Sequence, residues 1–321
     1  MQFDTGSSRF VISTTECAAC SGDSPYNRSL SSTFHEGIQP WKIKYGDGSF
    51  AEGVVAKDLV TLGSISVQNQ TLNMVLAESS NFDDTVDGVL GLSFGSISGS
   101  TTVFESMMQQ GIVDQGIFSF YFGKRSLNGG GEVIFGGLDM GRIELGNEIT
   151  YTPVTQATHW NINIQDFTMN DMSLQGEQKT PLHAIVDTGT TLLVGPEAMV
   201  RIYHSQIPRS RRFKKTWVVP CMGNINLGIV IEGKTFWVPY KDLAREYVGL
   251  GLCFSAVQTS SADFLILGDV FLKNNYVVFD QEGMRVGFAP LKAEEKMVLA
   301  SDNEEGEGKG EVAAVHLQDE L

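Results

Sequence analysis

The residues best placed to do chemistry occur twice. Phe3-Asp4-Thr5-Gly6-Ser7 stands at the start of the chain and returns as Val186-Asp187-Thr188-Gly189-Thr190. Each acid follows an apolar residue and is followed by threonine, glycine and a hydroxyl. Two carboxylates brought face to face cannot both ionise cheaply, so they share one proton and titrate as a pair. One can then act as a general base toward a bridging water while the other, protonated, donates to a carbonyl oxygen. The glycines let backbone N–H groups approach the carboxylates closely. The Ser7 and Thr190 hydroxyls are expected to hydrogen-bond the outer carboxylate oxygens.

Such a pair needs two similar scaffolds, and the sequence repeats beyond the tripeptide. "VDGVLGLSF" at 86–94 follows the first acid, and "FLILGDVFL" at 264–272 follows the second. The interval from Asp4 to Gly91 is 87 residues and that from Asp187 to Gly268 is 81, in the same order. An internally duplicated, two-lobed chain is the reading. The local pattern is mainly β. "WKIKYGDGSFAEGVVAKDLVTLG" alternates about Gly46-Asp47-Gly48 and predicts a hairpin. "GEVIFGGLD", "NINIQDFTMN", "IVIEGKTFWVP" and "YVVFDQEGMRVGFAP" predict further strands between Gly, Asn and Pro turns. Helices are expected only over "TTVFESMMQQG", closed by Gly111, and "GPEAMVRIYHSQIP", opened by Pro196. The fold class expected is all-β with few short helices. An N-terminal lobe over 1–150 and a C-terminal lobe over 151–290 are followed by an acidic, disordered tail over 291–321.

Composition bounds the partners. The chain has 321 residues, 42% apolar and 19% charged, with 35 glycines, and a net charge of −15. The tail holds nine acids against three lysines, a net of −6 that leaves −9 for residues 1–290. Nucleic acid and anionic membrane are therefore not expected partners. No apolar run approaches the roughly 20 residues that span a bilayer, and Met1 leads into Phe3-Asp4 without a visible secretory signal. Cys17 and Cys20 form a CxxC that could be redox-active or half a zinc site. The flank shows no strand-to-helix pattern and there is no second CxxC, so two disulfides, one per half with Cys221 and Cys253 as the second, is preferred. Asn27-Arg28-Ser29 and Asn69-Gln70-Thr71 are glycosylation candidates. The five histidines lack metal-ligand spacing, and no metal or cofactor is expected. Arg209, Arg211, Arg212, Lys214 and Lys215 form the one basic cluster, read as a solvated loop in preference to an anion site or a processing target.

At these residues the chain resembles the pepsin-like aspartic peptidases. "FDTGSS", "YGDGS", "DGVLGL", "VIFGGLD", "IVDTGTTLL", "ILGDVFL" and "VVFDQEGMRVGFAP" follow that family's order from Phe3 to about Pro290. The shared-proton chemistry described above is the familiar behaviour of that family. The resemblance implies two β lobes about a pseudo-twofold axis with a cleft between them. Asp4 and Asp187 would be the catalytic pair, with Thr5 and Thr188 bracing their loops and Gly6, Ser7, Gly189 and Thr190 in support. Tyr45, Gly46, Asp47, Gly48 and Ser49 would form a flap over the substrate, with Asp47 read as a solvated acid in an ordinary turn in preference to a residue that lets the site accept a basic side chain before the scissile bond. Cys17–Cys20 and Cys221–Cys253 match disulfide positions of the family. Peptide or protein substrates would be hydrolysed at acid pH by a monomer without metal, cofactor or covalent intermediate. A secretory, extracellular or vacuolar/lysosomal location follows. The final Gln-Asp-Glu-Leu is either an ER-retention variant or a coincidental acidic end.

Three departures qualify the match. The family has strands ahead of its first Asp that are not found here, which is expected to leave strand edges and apolar faces uncovered. Val11 stands where the family has a Trp that holds the flap tyrosine. The acidic tail runs past the usual end. The alternative to an acid endopeptidase is thus a catalytically impaired or inactive relative, peptide-binding or a truncated gene product. A paired-carboxylate glycosidase leaves the duplication unexplained.

Overall fold

The computed structural model describes residues 1–18, 20, 22–45, 48–79, 86–123, 130–175 and 180–292, and the backbone of a strand over 313–317. It is mostly β, as the alternating patterns require, and the internal repeat is visible in the strand order. One six-stranded sheet runs Gln2–Asp4, Gly88–Gly91, Phe10–Ile12, Ile65–Glu78, Phe50–Leu62, Pro40–Lys44. A second runs Gln156–Ala157, Trp160–Ile164, Leu182–Val186, Leu265–Leu267, Leu193–Pro196, Val257–Ser260. In each, an acid-bearing strand lies parallel to the strand of the apolar-Gly motif, and the chain returns antiparallel on that strand's other side. The returning strand then takes a parallel neighbour, Val11 opposite Asn73 in one half and Leu193 opposite Val257 in the other.

A third six-stranded sheet draws on both halves, in the order 313–317, Gly131–Phe135, Ile117–Tyr121, Asn275–Asp280, Arg285–Pro290, Thr150–Pro153. Its inner strands read as continuous apolar runs because the sheet is covered by packed side chains on both faces. Phe118 stacks on Phe279 at 4.9 Å between ring centres, and Trp160 meets Phe279 at 5.0 Å and Phe94 at 4.7 Å. Trp160 is fully buried, and its indole N–H is satisfied by the Leu92 carbonyl at 2.9 Å, beside the first motif. One aromatic core therefore ties the two halves together, with its one indole donor paired as burial demands.

The predicted hairpin forms, with Pro40 opposite Val54 and Lys44 opposite Phe50, and its second strand continues to Leu62 to pair with Ile65–Glu78. The helix Val103–Gln109 starts at a capping box between Thr102 and Glu105, and Gly111 follows at φ 64°. The helix Glu197–Ser205 begins after Pro196 as expected. Among the described residues no helix is long and apolar enough to cross a membrane.

Two expectations change. "NINIQDFTMN" is not one strand, because the chain breaks at Gln165 and Asp166–Met169 joins a different sheet. Within the stretch read as a disordered tail, residues 313–317 pair antiparallel with Gly131–Phe135. An available sheet edge overrides a composition that by itself argues against structure.

Removing the Trp160 ring should leave a large void and an unpaired Leu92 carbonyl. Trp160→Ala is expected to lower the free energy of unfolding by about 3–5 kcal/mol, measured by chemical denaturation. A loss below about 1 kcal/mol would show that the halves are held together elsewhere.

Candidate active site

Each acid sits where its strand meets the apolar-Gly strand. Asp4 lies opposite Gly91, and Val186, just before Asp187, lies opposite Leu267. The Leu92 N–H donates to the Asp4 carbonyl at 2.7 Å, and the Asp187 N–H donates to the Leu267 carbonyl at 3.1 Å. Each acid-bearing loop passes directly over the glycine. A Cβ at Gly91 would fall 2.6 Å from the Arg9 nitrogen, and one at Gly268 would fall 2.0 Å from the Thr190 carbonyl oxygen. No side chain fits at either position.

The two loops are fastened to each other by a reciprocal pair of threonines, both buried. The Thr5 N–H donates to Thr188 Oγ1 at 3.0 Å, and the Thr188 N–H donates to Thr5 Oγ1 at 2.9 Å. Each hydroxyl then donates onward across the join, Thr5 to the Val186 carbonyl at 2.9 Å and Thr188 to the Phe3 carbonyl at 2.6 Å. These carbonyls belong to the residues immediately before the two acids. The brace therefore fixes the backbone on both sides of each carboxylate.

The glycines of the tripeptides allow the acids to meet. A Cβ on Gly6 would sit 2.5 Å from Asp187 Oδ1, and one on Gly189 would sit 2.2 Å from Asp4 Oδ1. Each carboxylate thus lies across the opposite loop's glycine while accepting from its own, Gly6 N–H to Asp4 at 2.7 Å and Gly189 N–H to Asp187 at 2.8 Å. Thr190 donates its hydroxyl to Asp187 Oδ2 at 2.7 Å, as expected. Ser7 does not mirror it fully: its Oγ is buried with no hydrogen bond formed, though it stands near enough to Asp4 to favour the charged form. Burial pushes the Asp4 carboxyl above the usual carboxylate range. The Asp187 charge and the contact between the two carboxyls raise it further, against the opposing Ser7 and Gly6 donors.

Two groups near the pair escaped the sequence reading. Asp269 opens the short helix Asp269–Leu272 directly after Gly268, and it is buried with Oδ1 unpartnered. Burial raises its pKa well above the ordinary value, and the Asp187 and Asp4 charges add to this while Lys273 and Arg245 oppose it. The "ILGDVFL" motif contains this acid, so the signal was present but was read only for its apolar-Gly packing. His159 is half-buried; burial lowers its pKa and the charge of Asp187 raises it. Nothing in "TQATHWNI" distinguishes it.

The remaining expected residues lie as follows. The Tyr45 N–H donates to the Ser49 carbonyl at 2.9 Å and the Gly48 N–H to the Tyr45 carbonyl at 3.1 Å, closing the hairpin, with Gly48 at φ 92°. Gly46 and Asp47 lie outside the described residues. Val11 is buried with Trp41, Ala51, Val75, Val89 and Cys17. Cys17–Cys20 and Cys221–Cys253 are disulfides with Cα separations of 5.3 and 4.9 Å. Asn69 is exposed, whereas the side-chain oxygen of the partly exposed Asn27 accepts from Ser29 and caps a turn. The basic cluster is exposed, with Arg212 paired to Glu197 and Arg209 donating to the Leu250 carbonyl.

The raised Asp4 value has a consequence for stability. A carboxyl whose pKa is higher folded than unfolded stabilises the fold below its unfolded pKa, and this is lost as pH rises through the folded value. The melting temperature is therefore expected to fall from acid to neutral pH, with a shallower fall in Asp4→Asn. Parallel curves for the two proteins would remove Asp4 as a cause.

Comparison with known proteins covers the stretch that carries both loops. The family model for eukaryotic aspartyl protease matches residues 1–291. Rhizopuspepsin-4 of Rhizopus niveus is 36% identical over 299 residues, 91% of this chain and 73% of that protein. Syncephapepsin of Syncephalastrum racemosum is 35% identical over 301 residues, covering 91% and 74%. Cathepsin D of Dictyostelium discoideum is 33% identical over 305 residues, covering 89% and 78%. With its duplicated strand order and its facing Asp-Thr-Gly loops, the chain belongs to the eukaryotic aspartyl protease family.

Proposed function

We propose that the chain hydrolyses internal peptide bonds at acid pH, with Asp4 and Asp187 as the catalytic pair and one proton shared between them. The observation that carries this reading is the crossed placement of the two carboxyls over Gly6 and Gly189. That placement leaves both acids facing one site, where a water could bridge them. The ionised member takes a proton from the water as its oxygen attacks the scissile carbonyl carbon. The protonated member gives its proton to the carbonyl oxygen. As the gem-diol collapses and the C–N bond breaks, the acid that is now protonated gives its proton to the leaving nitrogen and a gem-diol hydroxyl gives its proton to the ionised acid, so the dyad again holds one proton. Thr190 orients Asp187, Ser7 favours the charged form of Asp4, and the Thr5–Thr188 brace holds the geometry.

Two lobes over 1–150 and 151–290 would form the walls of the cleft. The hairpin around Tyr45–Ser49 would close over an extended peptide and exclude water. The substrates are peptides or proteins, the enzyme acts as a monomer, and its place is the secretory route, outside the cell or in a vacuolar compartment. Both disulfides and the homology to rhizopuspepsin and cathepsin D support that placement, and Asn27 and Asn69 would be its glycan acceptors.

Asp187→Asn removes one half of the dyad without changing its size. It should lower kcat for cleavage of a denatured protein at acid pH by about three orders of magnitude or more. Retained activity would exclude the mechanism. Gly6→Ala keeps both acids but drives a methyl into Asp187. About a hundredfold loss of kcat with an unchanged far-UV circular dichroism spectrum is expected. A fully active Gly6→Ala enzyme would show that the crossed packing is not needed.

A further inference from the structure

The hairpin that carries Tyr45 and Ser49 hangs on the last strand of its sheet, since Pro40–Lys44 pairs with Phe50–Leu62 and ends the strand order. A two-stranded ribbon alone is marginally stable in water, so its direction has to be set at its base. Trp41 stands at that base and is buried. Its indole N–H is shared between the Val54 and Met74 carbonyls, each at 3.2 Å. Those two residues face each other on Phe50–Leu62 and on the next strand inward, Ile65–Glu78. One side chain therefore ties three strands together. Gly53, opposite Trp41, keeps the way clear: a Cβ there would fall 1.9 Å from the Met74 carbonyl oxygen that the indole reaches. The register also shifts here, from Glu52 opposite Ala77 to Gly53 opposite Val75, with Leu76 as the extra residue. Such a bulge bends and twists the ribbon, and the indole fixes it at that point.

The stretch Met74–Val75 also holds the chain that leaves the Asp4 loop. The Thr14 hydroxyl donates to the Val75 carbonyl at 2.7 Å, and Val11 lies opposite Asn73. Val11 and Trp41 belong to one buried cluster with Val75 and Val89. Val89 in turn lies on Gly88–Gly91, the strand against which Asp4 is aligned. Two neighbouring carbonyls thus receive the base of the hairpin and the segment that follows the first acid. A hairpin fixed at this point is fixed relative to Asp4.

We propose that Trp41 is a positioning residue of the flap, its indole N–H setting the angle at which the hairpin stands over the two acids. The kinetic consequence rests on the peptidase reading above. Trp41 acts through the hairpin and not on the reacting atoms. When the indole is lost, the hairpin spends part of its time out of place, and substrate affinity falls by the fraction of time that it is in place. Substrate already enclosed reacts as before. The signature is a raised KM at a nearly constant kcat. A chain that merely unfolds in part loses active enzyme instead, and with it apparent kcat.

Trp41→Phe keeps a ring in the cluster and removes the donor. In the full chain, KM for a synthetic peptide long enough to run under the hairpin should rise about fivefold or more while kcat stays within about twofold. An unchanged KM, with or without a fall in kcat, would overturn the proposal. Hydrogen exchange gives a readout that needs no turnover. The Tyr45 and Gly48 amides, which donate to the Ser49 and Tyr45 carbonyls, are expected to exchange about fivefold or more faster in the variant, while amides of Ile117–Tyr121 keep their protection. If the unaltered protein cleaves nothing, the peptidase reading fails, and this exchange comparison still decides the role of Trp41: equal rates overturn it. The unaltered protein supplies a further check. Its Trp41 indole proton should exchange far more slowly than that of the exposed Trp237. Equal lability of the two would overturn the assignment whatever the variant does.

Discussion

Two carboxylates at close range repel each other, and the structure depends on how that repulsion is contained. Four hydrogen bonds made by Thr5 and Thr188 clamp the backbone on either side of Asp4 and Asp187. With the backbone so held, the acids cannot swing apart, and the remaining relief is to retain a proton. Burial reinforces this, since a buried site penalises the charged form. The shared-proton state proposed for the pair would thus be a product of the fold, and the residue types at the site fit that arrangement. Thr is required where one side chain must both accept and donate across the join. Gly is required where a Cβ would occupy the opposing carboxylate's place.

The clamp in turn rests on a duplicated frame. In each half the acid-bearing strand, the apolar-Gly strand and the returning strand lie in the same order, so the two loops approach as near-equivalent partners about an approximate twofold axis. The central sheet and the Phe118–Phe279–Trp160 cluster keep that axis in place by drawing on both halves. The symmetry is broken at three points that matter chemically. Thr190 bonds its acid and Ser7 does not, Asp269 has no acidic counterpart after Gly91, where Leu92 stands, and His159 senses the charge of Asp187. These differences are the means by which two equivalent acids could come to differ in basicity.

Much of this was legible in the sequence because steric and chemical necessity left few choices. The repeated Asp-Thr-Gly and apolar-Gly spacings pointed to both acids and the duplicated frame, while the bracing threonines came from the family resemblance. Period-two alternation located the hairpin at 40–62, Gly111 marked the end of one helix and Pro196 the start of another. What was not legible depends on three-dimensional neighbours. Ser7 and Thr190 read alike, yet only the Thr190 hydroxyl forms a hydrogen bond to its carboxylate. Asp269 is an ordinary acid in "LGD" until burial places it in the field of the dyad. "AAVHL" is too short and too isolated in acidic sequence to read as a strand, and it becomes one only because Gly131–Phe135 offers an edge.

The central claim is that one proton shared by Asp4 and Asp187 drives the chemistry, and the pH dependence of kcat/KM on a synthetic peptide tests it most directly. The account predicts a bell, with an acid limb where the pair gains its second proton and an alkaline limb where it loses the shared one. The raised Asp4 value places that alkaline limb above the ordinary carboxylate range. Activity that stays level or keeps rising through neutral pH, with no alkaline fall, would contradict it.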